Sequence, residues 1–267
     1  MFPIGDDNSD ERAVPIVNYV IIALNILVFV FFQRLGTNDR FTYAYATVPA
    51  EIRTGKDIVT DDRVIEDPET GQQFTVAGLQ PTPSVYFTLF SSMFMHGGIA
   101  HIAGNMWFLW IFGDNVEDRM GRLRYALFYL LTGLIASLSH VAMNLHGDGS
   151  LIPSLGASGA ISGVMGAYLA LCPGRQVRVL LLQMVTVVPA YMAVGLWFLF
   201  QLVSGMGLLG GSAGHGVAHA AHIGGFVAGL ILAKPFVIGR PQFVPANPVP
   251  PAVGYFEANR GRIGMRR

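Results

Sequence analysis

Charge is scarce in this chain and cysteine is almost absent. Charged side chains make up 13% of the 267 residues and hydrophobic ones 52%, with a mean hydropathy of +0.48. A soluble domain carries about 25% charged residues, so an ordinary water-soluble domain is excluded and a membrane protein indicated. The 17 basic and 17 acidic side chains cancel, which removes the cationic surface that a nucleic-acid partner requires. The single cysteine, Cys172, excludes an internal disulfide framework and a cysteine-rich metal site. At the apolar end of an expected helix it reads as a small packing residue. Residues 1–14 are acidic and polar and lack the basic n-region and cleavage site of a signal peptide. Carboxylates are also missing from a long stretch, since after Asp148 the next one is Glu257.

What is present in quantity is apolar sequence, in runs at roughly 17–33, 94–113, 125–144, 156–172, 187–204 and 216–233, each near the ~20 residues that a helix needs to cross a bilayer. The expected fold class is therefore all-α, a polytopic bundle of six transmembrane helices. Arg119, Arg122 and Arg124 follow the second run, Arg175 and Arg178 the fourth, and Lys234 and Arg240 the sixth, whereas 145–155 and 205–215 hold no lysine or arginine. The positive-inside rule then places both termini in the cytoplasm. The organisation expected is a cytoplasmic segment at 1–14, a membrane domain at 15–234 with an extracytoplasmic first loop at 34–93, and a proline-rich cytoplasmic tail at 235–267. Within the first loop, Val85 to Met95 is apolar and aromatic and reads as an interfacial element.

Two uncharged stretches carry the chemistry. In Gly156-Ala157-Ser158-Gly159, a serine stands at the start of a helix, where free backbone N–H groups and the positive dipole end can stabilise an oxyanion. Ser162, one turn on, reads as a serine bonded back to a carbonyl. In Ala221-His222-Ile223-Gly224-Gly225, a histidine adjoins a small face made by Gly225 and Gly229, matched by Gly159 and Gly163. Glycine faces let two helix backbones approach closely, close enough for a serine to reach an imidazole. Polar groups at membrane depth are costly without a partner and a purpose.

His101 and Asn105 lie four apart and share one helix face. Two donors aimed at one place suit oxyanion stabilisation. His96 is expected to bond to loop backbone as a supporting residue. His215, His219 and His222 have spacings that a metal site could use. A zinc hydrolase would also want a general-base carboxylate, and none is nearby. No metal and no cofactor are expected, and a Ser158–His222 dyad is favoured over a triad. Asp114, Glu117, Asp118 and Arg119 read as a capping and ion-pair cluster around Gly121, and Trp107, Trp110 and Trp197 as packing residues.

In combination, His96-x4-His101-x3-Asn105, Glu117-x-Arg119-x-Gly121, Gly156-Ala157-Ser158-Gly159 and Ala221-His222-Ile223-Gly224-Gly225 with Gly229 resemble the rhomboid family of intramembrane serine proteases, over roughly 85–235. The resemblance implies Ser158 as nucleophile and His222 as base. It implies His101, Asn105 and the Ser158 backbone N–H as oxyanion donors, with Gly156 and Gly159 supporting. The fifth helix and the loop before the sixth would be the gate. The partners implied are single-span membrane proteins as substrates and the lipid bilayer itself. The six-helix form is similar to the basic bacterial type, which implies a bacterial inner membrane. Ser162 stands where some members have an aromatic that packs on the histidine. The rival reading is a non-catalytic rhomboid-like protein that binds membrane clients.

Overall fold

The computed structural model describes residues 2–8, 13–66, 73–205 and 216–240. Its frame is six long helices: α1 (Ile16–Leu27, continued by a π-helical turn Val28–Phe32), α5 (Ile99–Met120), α6 (Arg122–Met143), α7 (Ser158–Leu171), α8 (Ala190–Gly205) and α9 (Gly216–Phe236). Short helices α2 (Asp39–Ala44), α3 (Pro49–Thr54) and α4 (Thr88–Ser91) decorate the first loop. One of the long helices, α6, is long and apolar enough by composition to cross a membrane; Ile16–Phe32, Ser158–Leu171 and Ala190–Val203 are apolar but shorter. The sequence expectation was six crossings; among the described residues one helix, α6, satisfies that criterion.

Helix boundaries differ from expectation for local reasons. The second run was expected from 94, but Gly97 and Gly98 delay α5 to Ile99. That helix then runs through its charged end to Met120, because those charges have work to do. Pro15, at the start of α1, supplies no capping side chain. The Glu117 carboxylate does so instead, accepting from the backbone N–H groups of Val17 (3.1 Å) and Asn18 (2.7 Å). Gly121, at φ 78, where a side chain would be strained, ends α5 with its N–H on the Glu117 carbonyl and starts α6. The Arg240 side chain covers it.

α1 shows what solvent the fold expects. It buries Asn18, Ile21 and Asn25 and exposes Val20, Leu24, Leu27 and Phe31. Asn18 is bonded on both sides: its Nδ2 donates to the Leu109 carbonyl and Tyr125 donates its hydroxyl to Asn18 Oδ1; Asn25 Nδ2 donates to the Ile21 carbonyl. Leu123, Leu127 and Leu138 of α6 and Tyr191, Leu196, Leu199 and Phe200 of α8 also face outward. Outward apolar surface of this extent is costly in water and natural in lipid. The core between the helices is built from Leu109, Phe112, Tyr125, Phe128, Tyr129, Met165, Tyr168 and Phe226.

The glycine faces bring α7 close against α9, the most extensive helix contact among the described residues. A Cβ on Gly225 would overlap the Gly159 carbonyl oxygen and lie 3.0 Å from its carbon; one on Gly229 would lie 2.7 Å from the Gly163 carbonyl carbon. Backbone touches backbone, as the small-residue spacing implied.

The all-α expectation needs correcting, because two small sheets are present. Strands β1 (Phe2–Asp6), β4 (Gln176–Leu181) and β5 (Met184–Pro189) form an antiparallel sheet in the order β1-β4-β5. Leu182 (φ 45) and Gln183 (φ 69) make the two-residue hairpin between β4 and β5. Strands β2 (Arg63–Glu66) and β3 (Gln73–Val76) form a second hairpin in the first loop. The physical cause is the period-2 alternation of Gln176-Val177-Arg178-Val179, which buries both valines, followed by the β-branched run Val185 to Val188. Segment 1–14 contributes β1 to that sheet. Its Asp6 carboxylate accepts from the Tyr168 hydroxyl (2.7 Å) and Asn115 Nδ2 (2.8 Å), tying the strand to the ends of α7 and α5. The 85–95 element is a run of short helical turns with Val85, Leu89, Met93 and Met95 buried. It packs inward on α6 as well as facing out. Most of the proline-rich tail, from 241 onward, lies outside the described residues.

Candidate active site

Ser158 is the first residue of α7, and Ala157 before it provides no side-chain cap. Its hydroxyl therefore sits among first-turn amides that no side chain has claimed. The turn that delivers it depends on Gly156, at φ 120, whose N–H donates to the Ser92 carbonyl (2.8 Å). His222 projects from α9, and because the glycine seam holds the two helices together its Nε2 lies 2.8 Å from Ser158 Oγ. That is hydrogen-bond distance, the separation that a nucleophile and its base would need. Ser162 donates its hydroxyl to the Ser158 carbonyl at 2.7 Å and so turns away from His222.

The pair His101 and Asn105 converges on the same turn. A Cβ on Gly156 would crowd His101, at 3.0 Å from its Nε2, and would lie 3.7 Å from Asn105 Nδ2, in ordinary contact. The Gly97 N–H donates to His101 Nδ1 (3.3 Å). In the neutral ring the proton is then on Nε2, the atom facing Gly156, and His101 presents a donor there. Asn105 Nδ2 is buried without a hydrogen-bond partner among the described residues. A buried, unsatisfied donor is rare in folded proteins and calls for an explanation.

His96 takes a scaffold position. Its backbone, rather than its ring, makes the bonds: its N–H donates to Gln33 Oε1 (3.0 Å) and its carbonyl accepts from Gln33 Nε2 (2.8 Å). The ring packs edge-on to His101 at 5.2 Å between centroids and so backs that residue. A cavity of about 30 Å³, bordered by Ser92, Ser137, Ser154, Ser158 and His222, adjoins the pair. That is space for one or two waters among polar partners.

Sequence reading missed one contact. Gln201 of α8 is buried, and its Oε1 lies 3.1 Å from His222 Nδ1. Trp197, one turn earlier on the same helix, sets its ring 6.2 Å from that of His222 and 6.2 Å from that of Phe226, a packing position. A lone glutamine in an apolar run has no spacing to betray it; only the fold brings it to the histidine. On the far side of Gln201, an apolar groove of about 480 Å³ runs between α5, α7, α8 and β1. His219 neighbours His222 at 6.4 Å between rings. Among the described residues no three His, Cys, Asp or Glu side chains are grouped as for a metal ion. His215 and the loop expected to act as a gate, 206–215, lie outside the described residues.

Comparison with known proteins agrees with these motifs. A family model described as "Rhomboid domain" matches residues 83–238. RHOMBOID-like protein 1 of Arabidopsis thaliana is 33% identical over 155 residues, 58% of this chain and 35% of the relative. Rhomboid protease GluP of Bacillus subtilis (strain 168) is 30% identical over 157 residues, 59% of this chain and 27% of the relative. The human mitochondrial presenilin-associated rhomboid-like protein is 32% identical over 126 residues, 42% of this chain and 32% of the relative. The chain spans about a third of the length of these relatives.

Proposed function

Because this chain belongs to the rhomboid family of integral membrane proteins, we propose that it is an intramembrane serine endopeptidase acting through Ser158 and His222. The observation that carries the reading is the 2.8 Å Ser158–His222 pair at an uncapped helix start, beside an unpaired donor on Asn105.

The chemistry follows from the positions. Ser158 Oγ attacks a peptide carbonyl while His222 Nε2 takes its proton. The oxyanion is met by His101 Nε2–H, Asn105 Nδ2–H and the Ser158 N–H, donors fixed before the charge develops. Collapse expels the amine, which takes the proton from His222 and leaves an acyl ester on Ser158. A water, deprotonated by His222, then attacks that ester, and the Ser158 oxygen leaves with the proton that His222 returns to it. The substrate class is a single-span membrane protein cleaved in or beside its transmembrane segment. The apolar groove leading to Gln201 supports entry from the bilayer side. A bacterial inner membrane with both termini in the cytoplasm accords with the arginine placement.

The test is covalent labelling with a fluorophosphonate, together with cleavage of a panel of single-span proteins. Ser158→Ala and His222→Ala should lose both activities with little change in melting temperature, whereas His219→Ala should keep most of each. Cleavage that survives in Ser158→Ala would end the serine mechanism. A wild-type protein that binds single-span clients but neither labels nor cleaves would be a client-binding protein instead.

A further inference from the structure

We infer that Gln201 positions the general base, its side-chain carbonyl holding His222 in the one tautomer that can take the Ser158 proton. The inference rests on the serine-protease reading above and deepens it.

A neutral imidazole has one N–H and one lone pair on nitrogen. Gln201 Oε1 can only accept, and it stands 3.1 Å from His222 Nδ1. The ring proton therefore belongs on Nδ1, and the Nε2 lone pair is left facing Ser158 Oγ at 2.8 Å. The other tautomer would set two lone pairs against each other at Nδ1 and turn an N–H toward the nucleophile, where it is useless as a base. In soluble serine hydrolases a carboxylate does this orienting. Here α7, α8 and α9 contain no Asp or Glu, and the neutral amide occupies the place without adding a buried charge. Residues 197 and 201 are one turn apart on α8, so the Trp197 ring limits one side of the imidazole while Gln201 fixes its in-plane direction. The other titratable groups around His222 are His219 on its own helix and His101 from α5. Neither provides an acceptor in the position that Gln201 holds.

The experiment uses the full chain in detergent and the rate of fluorophosphonate labelling, which separates kinact from KI without a known substrate. Gln201→Met keeps length and volume but removes the acceptor. It should lower kinact roughly 10- to 100-fold with KI unchanged, the loss of one hydrogen bond plus freer motion of the base. Gln201→Glu keeps the acceptor; it should recover most of the rate and move the acidic limb of the kinact–pH profile to higher pH, since a carboxylate favours the imidazolium. Wild-type kinact in Gln201→Met would overturn the proposal. So would equal losses in both variants with an unshifted profile, which mark a packing role. Should Gln201→Met not fold, an unshifted profile in Gln201→Glu decides against it. If the wild-type chain shows no Ser158-dependent labelling, the protease reading itself has failed; an active wild type with an indifferent Gln201→Met sinks only this step.

Discussion

Placing a single methyl on Gly225 tests whether the glycine seam exists for catalysis. That methyl would overlap the Gly159 carbonyl oxygen and sit 3.0 Å from the Gly159 carbonyl carbon and 3.3 Å from the Ala136 Cβ. Carbon atoms rest at about 3.5–4.0 Å, and the obstacle is helix backbone rather than the end of a flexible side chain, so α7 and α9 must part by roughly 1 Å. Overpacking of this kind costs about 1–3 kcal/mol. The catalytic cost should be larger in proportion. Separating the helices stretches the 2.8 Å Ser158–His222 contact, and a misplacement near 1 Å can cost about 10² in rate. Gly225→Ala should thus insert and fold, melt somewhat lower, and label with fluorophosphonate about 10²-fold more slowly; Gly225→Val should be nearly inactive. Gly195→Ala on α8, where a Cβ meets nothing within 4 Å, is the control and should behave as wild type. Wild-type labelling by Gly225→Ala would show that the seam yields without moving the pair, and the link between backbone approach and catalysis would have to be dropped.

Two further expectations concern other parts of the molecule. Asn105→Ala removes the unpaired donor beside Gly156 and should lower kcat by up to about 10²–10³, less where His101 and the Ser158 N–H compensate. A rise in KM alone would mark it as a binding residue. Burial raises the Asp6 carboxyl from 3.8 to about 7, so the folded state holds that proton more tightly than the unfolded chain. Its contribution to stability is full below pH 3.8 and declines as pH rises through about 7. Asp6→Asn, which keeps an acceptor for Tyr168, should flatten the fall in melting temperature between about pH 4 and pH 7; an unchanged slope would place the titrating group elsewhere.

Legibility in the sequence followed the range of the interactions involved. The approach of α7 and α9 could be read from Gly159, Gly163, Gly225 and Gly229 because small-residue spacing is a local property of each helix. The shared face of His101 and Asn105 was equally local. The β4–β5 hairpin was written in the alternation around Val177 and Val179, but a loop bounded by Arg175 and Arg178 reads first as a solvated connection. Strand β1 was beyond reach, since its partner β4 lies about 170 residues away and Phe2–Asp6 shows no periodicity of its own. The charged end of α5 read as a membrane-edge cluster. Only the structure shows that Glu117 is spent on the first turn of α1.

Gln201 joins the two kinds of evidence. From sequence, the lack of any carboxylate between Asp148 and Glu257 argued for a dyad and left the orientation of His222 without a source, the more so because Ser162 bonds back to its own helix. The structure fills that place with an amide, and the bilayer gives the reason. A carboxylate at that depth must be desolvated on folding, at a cost of several kcal/mol that its attraction to an imidazolium repays only while the imidazolium exists. A glutamine carbonyl accepts the same Nδ1 proton in every protonation state of the cycle and is cheap to bury when bonded. The proposed oxyanion side follows the same rule, since the donors assigned to it are a neutral imidazole, an amide and a backbone N–H, none of which carries charge into the membrane. Every group around the reacting atoms can therefore be neutral in the resting state, with charge appearing only as Ser158 loses its proton. A site built this way loses less from burial than a charged triad would, and it depends correspondingly more on position. That is why one methyl on Gly225 should harm it more than the loss of a nearby histidine such as His219.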